Sequence, residues 1–489
     1  MHLSKIESIS DFDGNTPQEV VALVTGNGSG TKLFQALLDS HDQICMIPAY
    51  PLIYFYPHWV TWKEELKHNW NWEGIIDMFC LKHASVLDSR KIPGHNGMTT
   101  LGDTQDEYIK IDEAHFRNNL KNILANKPID SKAFTLAVHY AYSLCMNEDL
   151  QSKKCILYHI HSPEYLANYL VRDYPNTKVI CMLRDPRSSI IRRYKSSFMN
   201  VDDAKLNRTD ALLYRKRAYF HSCQYIFDSL IPLKSIHSNN LRAVRHEDLI
   251  CKLEETMESA SNFIDIDFVP SMLEITFGGK DWWGDAIYDM EPMNVPNPRV
   301  VSQAWQEKFS FLDWFVIEGL LYDYLEKYEY PVYRYKQDSF WNRIMLILAI
   351  LIPAQIELKV LFHDYLTPKI HFEFLRSCVE ESKNVFSLRD YTWNATHLYK
   401  WTYVDLRLWE KRWHVKLLLL GEKMSQDVVW TPIGKILLLI CQFIYVLTTY
   451  IRFVWAAITY PYIVLKRYKV FYDCLFRRLR NRNFLPKLV

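Results

Sequence analysis

No Cys-x-x-Cys pair occurs anywhere in the chain, and its 10 cysteines are scattered rather than clustered. That removes the common zinc and redox motifs, and with no other metal-ligand spacing present, no metal is expected. The thiols read as reduced and buried, in a protein that faces the cytosol. A dominant charge of one sign is also missing. Lys+Arg 58 against Asp+Glu 56 leave a net +2, too little for a general nucleic-acid footprint, so no nucleic acid is expected as a partner. The opening MHLSKIESISDFDGNTPQE is polar and has no apolar core, so no signal peptide is expected. Internal repeats and low-complexity tracts are absent. Glycine is sparse, 14 in 489 residues, which makes the closely spaced Gly26, Gly28 and Gly30 stand out.

What is present is a large apolar and aromatic fraction, 49% and 15%. At this length it can build two or three domains. The segment Val20–Ser40, VVALVTGNGSGTKLFQALLDS, reads as a buried strand, a glycine-rich turn and a helix. Val20 to Thr25 is an apolar, largely β-branched run suited to a parallel strand covered on both faces. The glycines let the chain turn tightly. Thr31 to Leu38 has helical spacing, so the helix N-terminus offers its N–H groups and partial positive charge to an anion such as phosphate or sulfate. The segment carries neither the Walker spacing nor Gly-x-Gly-x-x-Gly.

Further strands are expected at Ile156–Ile160 and Val179–Leu183. The first leads to His159, His161, Ser162 and Pro163, with Ser162 as the N-cap of a helix begun by Pro163. The second leads to Arg184-Asp185-Pro186-Arg187 and a helix carrying Ser188, Ser189, Arg192 and Arg193. An Arg-rich turn after a strand makes a second anion pocket, since the guanidinium fork grips two oxygens at once. Ligands of open α/β sheets sit at the carboxyl ends of the strands. By itself, this turn also fits a surface salt bridge. The aromatics Tyr50, Tyr54, Phe55, Tyr56, Trp59, Trp62, Trp70 and Trp72 fit either an acceptor-pocket wall or ordinary helix packing.

Ser29-Gly30-Thr31 at the helix start resembles the 5′-phosphosulfate loop of sulfotransferases that use 3′-phosphoadenosine-5′-phosphosulfate (PAPS). MLRDPRSSIIRRY is similar to the 3′-phosphate segment of those enzymes. Leu241–Leu249, LRAVRHEDL, resembles their next strand and turn, and Ile275–Asp285, ITFGGKDWWGD, sits where they carry a late glycine-containing loop. Trp305 and the helix after it close the resemblance, which spans roughly residues 18 to 335. It implies an α/β fold with a central parallel sheet flanked by helices. It also implies sulfuryl transfer from PAPS to a hydroxyl or amine of a carbohydrate, lipid or lipid-linked glycan, without metal. On the same grounds Asn27, Gly28, Ser29, Gly30, Thr31 and Lys32 hold the 5′-phosphosulfate. Arg184, with Arg192 and Ser188, holds the 3′-phosphate.

Two departures from the family pattern matter. Gly28 stands where a Lys or Arg is common, which leaves Lys32 either to neutralise the bridging oxygen or to lie on a solvated helix face. Arg192 stands where Ser is usual. The family also has a Lys near the position of His161. His161 is therefore the first choice for the base that deprotonates the acceptor, followed by His139 and His159, with Glu164 a weaker carboxylate candidate. A histidine titrates near neutrality, as that role requires. His159 and His161 lie on one side of their strand because side chains alternate. Two other readings stand beside this one. One is a P-loop kinase, for which the Walker Lys and acidic Mg²⁺ ligands are missing. The other is a catalytically inactive, sulfotransferase-like, membrane-associated binding protein, favoured by Gly28.

Residues 1–335 are thus expected to form the sulfotransferase domain, and 336–489 a mainly helical, membrane-associated region. Met345–Ile352 is apolar but too short to span a bilayer. Ile436–Leu465 is long enough, yet Arg452 near its middle is expensive in hydrocarbon. The following stretch to Lys487 is rich in Lys and Arg, which suits an anionic leaflet. Residues 436–489 are accordingly expected to lie on or dip into a membrane, placing the protein at its cytoplasmic face.

Overall fold

The structure, a computed structural model, describes residues 19–25, 29–92, 96–190, 230–285, 310–349 and 484–489, much of 429–458, and isolated positions at 301, 306 and between 417 and 425. The chain forms two compact units. The first is Met1–Arg184, Asp228–Ser302 and Phe484–Val489, and the second is Asp185–Phe227 and Gln303–Asn483.

The first unit is built on a sheet of six parallel strands in the order β2-β3-β1-β4-β5-β8. The strands are β1 (Glu19–Thr25), β2 (Ile44–Met46), β3 (Cys155–His161), β4 (Lys178–Leu183), β5 (Leu241–Arg245) and β8 (Lys487–Leu488). β1 follows the expected apolar run, and only its first residue, Glu19, is exposed. Such runs are buried on both sides because helices cover both faces of a parallel sheet. On one face Val21, Leu23, Leu157, Ile180, Met182 and Val244 join Phe34, Leu37, Leu38, Met257 and Ile264 in one core. On the other, Ile156 and Cys45 meet Tyr140 of the helix Ser131–Cys145. The last strand comes from the chain terminus, where Lys487 and Leu488 pair with Arg242 and Ala243. A two-stranded hairpin, β6 (Thr276–Phe277) and β7 (Lys280–Asp281), completes this unit.

In the second unit the helix Phe311–Lys327 opens on a capping box, in which Ser310 and Asp313 satisfy each other's backbone N–H groups. Two further helices, Phe340–Ala349 and Thr431–Ile458, bear out the helical character expected of the C-terminal part. Among the described residues no helix is long and apolar enough to cross a membrane.

Candidate active site

The carboxyl ends of β3, β1, β4 and β5 stand side by side. Val24 of β1 is in register with His161, Thr25 with Met182 of β4, and Leu183 with Arg245 of β5. The polar loops after these strands therefore share one edge of the sheet, where α/β folds bind ligands.

After β1 the chain turns at Ser29 and Gly30 into helix α1 (Thr31–Ala36). Ser29 and Thr31 are buried, and the Thr25 hydroxyl donates to Ser29 Oγ at 3.3 Å. Gly30 has φ +79°, the left-handed region, and an added Cβ would lie 2.0 Å from His246 Nδ1. Only glycine meets both conditions. His246 opens the helix that follows β5, and that turn is closed by Arg245 gripping Asp248 with two bonds of 2.6 Å each. The loop after β1 is thus seated on the loop after β5. Arg184 lies one residue beyond the Leu183–Arg245 pairing and is half-buried. Arg184 and the Ser29–Thr31 turn accordingly follow neighbouring strands at one edge of the first unit.

Lys32 is not on a solvated helix face. It is 8% exposed, forms a short ion pair with Asp285 and lies 5.7 Å from the centre of the Trp282 ring. Burial lowers its pKa, and the Asp285 charge pulls in the opposite direction. Asp285 escaped the sequence reading. Its only signal there is an acid at the end of a segment that already resembles the family. The Gly278–Gly279 turn is held elsewhere: Asp39 Oδ2, beyond the far end of α1, accepts from Gly279 N at 2.9 Å and from Thr276 Oγ1 at 3.0 Å. Trp283 donates from its indole N–H to Gly102 O at 2.8 Å.

The three candidate histidines separate. His139 is in the middle of the helix Ser131–Cys145 and 1% exposed, with Nδ1 2.8 Å from Thr135 O. Burial pushes its pKa down to about 4. It is a core histidine, remote from solvent. His159 and His161 lie together at the end of β3, with His161 Nδ1 3.4 Å from His159 Nε2. His161 has φ +60°, a costly conformation for a residue with a Cβ that persists mainly at functional sites. The register with β1 also shifts between Ala22 and Val24, just where His161 pairs. Bulges of this kind re-aim side chains at strand ends.

Tyr50 stacks on His161, with ring centres 4.9 Å apart at 28°, and meets His159 edge-on at 5.1 Å. Burial and the nearby Asp285 charge hold its hydroxyl well above the usual tyrosine range. Most other aromatics of that stretch are packing. Phe55, Tyr56 and Trp62 are at most 2% exposed, and Phe55 and Trp72 stack on Phe134. Glu164 sits in the first turn begun by Pro163, which Ser162 caps as expected.

The second half of the Arg184–Arg187 turn serves the fold. In the second unit Arg187 is fully buried, bonded to Asp185 and Glu318. Ser188 is half-buried in the helical turn that Pro186 starts. Asn27, Gly28, Arg192 and Trp305 lie outside the described residues. No group of His, Cys, Asp and Glu among the described residues has the arrangement of a metal site.

The model of a sulfotransferase family matches residues 24–270, just over half of the chain, and includes the Ser29–Thr31 and Arg184–Arg187 turns. Two solved structures are similar. One is the sulfotransferase domain from the Synechococcus PCC 7002 olefin synthase, at 14% identity and TM-score 0.32, covering 59% of this chain and 87% of that one. The other is the sulfotransferase domain from the curacin biosynthetic pathway, at 14% identity and TM-score 0.27, covering 58% and 89%. No curated protein matches.

Proposed function

This chain belongs to the sulfotransferase family, and we propose that it moves the sulfuryl group of PAPS to a hydroxyl or amine of a carbohydrate, lipid or lipid-linked glycan. One observation carries the reading: the Ser29–Thr31 loop and Arg184 share an edge of a single sheet, tied through the Gly30–His246 contact and the Leu183–Arg245 pairing. That arrangement suits a donor with an anionic group at each end. The N–H groups at the start of α1 face the 5′-phosphosulfate, and Arg184 takes the 3′-phosphate.

The residues can supply what such a transfer needs. Charge develops on the transferred group and the leaving phosphate, so positioning and electrostatic stabilisation do most of the work. Lys32 neutralises the bridging oxygen once it exchanges Asp285 for the anion. His161 accepts the acceptor proton at Nε2 while the acceptor oxygen bonds to sulfur and the sulfur–oxygen bond to the 5′-phosphate breaks. Tyr50 forms one wall beside that histidine. His139 has no part in this scheme, because it is buried in the core with Nδ1 bonded to Thr135 O.

Helix Thr431–Ile458 supports a membrane-facing role for the C-terminal part. Ile436, Leu439, Ile440, Phe443, Leu447 and Ile451 are all exposed on it, at spacings that form a helical stripe. The basic segment from Lys466 follows. An apolar stripe beside basic residues suits a helix lying on an anionic cytoplasmic surface rather than crossing it. Incubation with ³⁵S-labelled PAPS and pools of glycans or lipids tests the activity. Label transferred to an acceptor is expected. Binding of adenosine 3′,5′-bisphosphate without transfer to any pool would identify an inactive nucleotide-binding relative instead.

A further inference from the structure

The end of β3 holds a chain of hydrogen bonds whose direction can be read from its acceptors. It begins at Gln35 on α1, which is fully buried. Its Nε2 donates to Ile47 O at 2.8 Å, and this turns Oε1 the other way, toward His159. His159 Nδ1 lies 3.1 Å from Gln35 Oε1 and 3.1 Å from Ala49 O. Both are acceptors, so Nδ1 carries the hydrogen. His159 is 5% exposed, and in its neutral ring a hydrogen on Nδ1 leaves the lone pair on Nε2. His161 Nδ1, at 3.4 Å from that nitrogen, is then the donor. The lone pair of His161 falls on Nε2.

Resting on the reading of His161 as the base, we infer that Gln35 and His159 are positioning residues that fix His161 as the Nδ1–H tautomer with a basic Nε2. The relay does a second thing. When Nε2 takes the proton of the acceptor hydroxyl, His161 becomes a cation and its Nδ1–H bond to His159 Nε2 becomes charge-assisted, hence stronger. The proton moves from acceptor oxygen to Nε2, and no other bond of the relay breaks. The stacked Tyr50 ring and the strained backbone of His161 fix the plane in which Nε2 points. A neutral histidine here takes the place that a carboxylate occupies in many histidine-orienting pairs, which keeps the buried end of the relay uncharged. Gln35 fits that design, since a glutamate there would bury a charge.

Long-range ¹H–¹⁵N correlation spectra of the full chain with ¹⁵N-histidine report each ring's tautomer without any substrate. Signals are assigned by loss in His161→Asn and His159→Phe. Above the titration range, His161 and His159 are both expected as Nδ1–H. In His159→Phe, which keeps an aromatic ring but no acceptor, His161 is expected to change to Nε2–H. In His159→Gln, whose amide oxygen replaces the lone pair, Nδ1–H is expected to return. Transfer from labelled PAPS should fall about 10- to 100-fold in kcat for His159→Phe with KM nearly unchanged, and recover in part in His159→Gln. A wild-type His161 already in the Nε2–H form overturns the relay, whatever the activity. The expected tautomers with no transfer by the wild-type protein would instead refute the assignment of His161 as a base.

Discussion

Arg187 Nη1 lies 2.8 Å from Glu318 Oε1, and both side chains are wholly buried. Glu318 also accepts from the backbone N–H groups of Tyr333, Arg334 and Tyr335 and from the Trp314 indole. Asp185 takes the other edge of the guanidinium. Removing one partner from a buried pair leaves an uncompensated charge, at about 3–5 kcal/mol. Arg187→Met is therefore expected to lose about that much stability in chemical denaturation. A loss below about 1 kcal/mol would show that the network does not hold the second unit together.

Gly30→Ala places a methyl group onto the His246 ring at a residue with φ +79°. Gly284, with φ +86°, has nothing within 4 Å of the same added atom. Both alanines carry the backbone cost of about 1–2 kcal/mol, but only the first displaces a neighbour. Thermal unfolding should show Gly30→Ala as the less stable of the two, with weaker binding of adenosine 3′,5′-bisphosphate. Equal melting temperatures would mean that His246 moves aside without cost.

Burial pushes the pKa of His83 down to about 3 and that of His139 down to about 4. Both stay neutral in the folded chain while the unfolded chain takes up protons below its ordinary value near 6.5. Stability from these groups is fully present above pH 6.5 and is lost as pH falls, toward about 4 for His139 and about 3 for His83. The slope is about 1.4 kcal/mol per pH unit for each histidine. His139→Gln should remove one proton's share of the slope between pH 6 and 4.5. An unchanged slope would show that His139 is already charged in the fold.

Asp285→Asn removes the counter-charge of Lys32, which is buried against it. The ligand-free protein should lose about 3–5 kcal/mol. An anion in the adjoining loop gives Lys32 a new partner, and a ligand that binds only the folded chain stabilises it. Adenosine 3′,5′-bisphosphate should therefore raise the melting temperature more in Asp285→Asn than in the wild-type protein. A smaller rise would place Lys32 out of reach of the anion.

Much of this was legible in the sequence because it depends on local patterns. The β-branched run of β1, the Ser29–Thr31 turn and the strand before Arg184 each announce themselves within a few residues. The partners that complete the site do not. Asp285 reaches Lys32, and His246 lies under Gly30, from more than two hundred positions away, the latter because the strand order β1-β4-β5 brings the turn after β5 to the turn after β1. The relay was half visible: the spacing of His159 and His161 puts both on one side of a strand, but Gln35 lies on another element. Composition left the aromatic stretch open between pocket wall and packing, and both occur: Phe55 and Trp62 fill the core, while Tyr50 meets the histidines. The C-terminal strand was hidden by its basic surroundings, since Lys487–Leu488 gains its partners only by returning to β5.

Calorimetric titration with adenosine 3′,5′-bisphosphate tests most directly whether the two motifs form one donor site. A single binding event is expected for the wild-type protein, with affinity about 10- to 100-fold lower in Arg184→Ala, the loss of one hydrogen-bonded charge. Equal affinity in a folded Arg184→Ala protein would contradict the account.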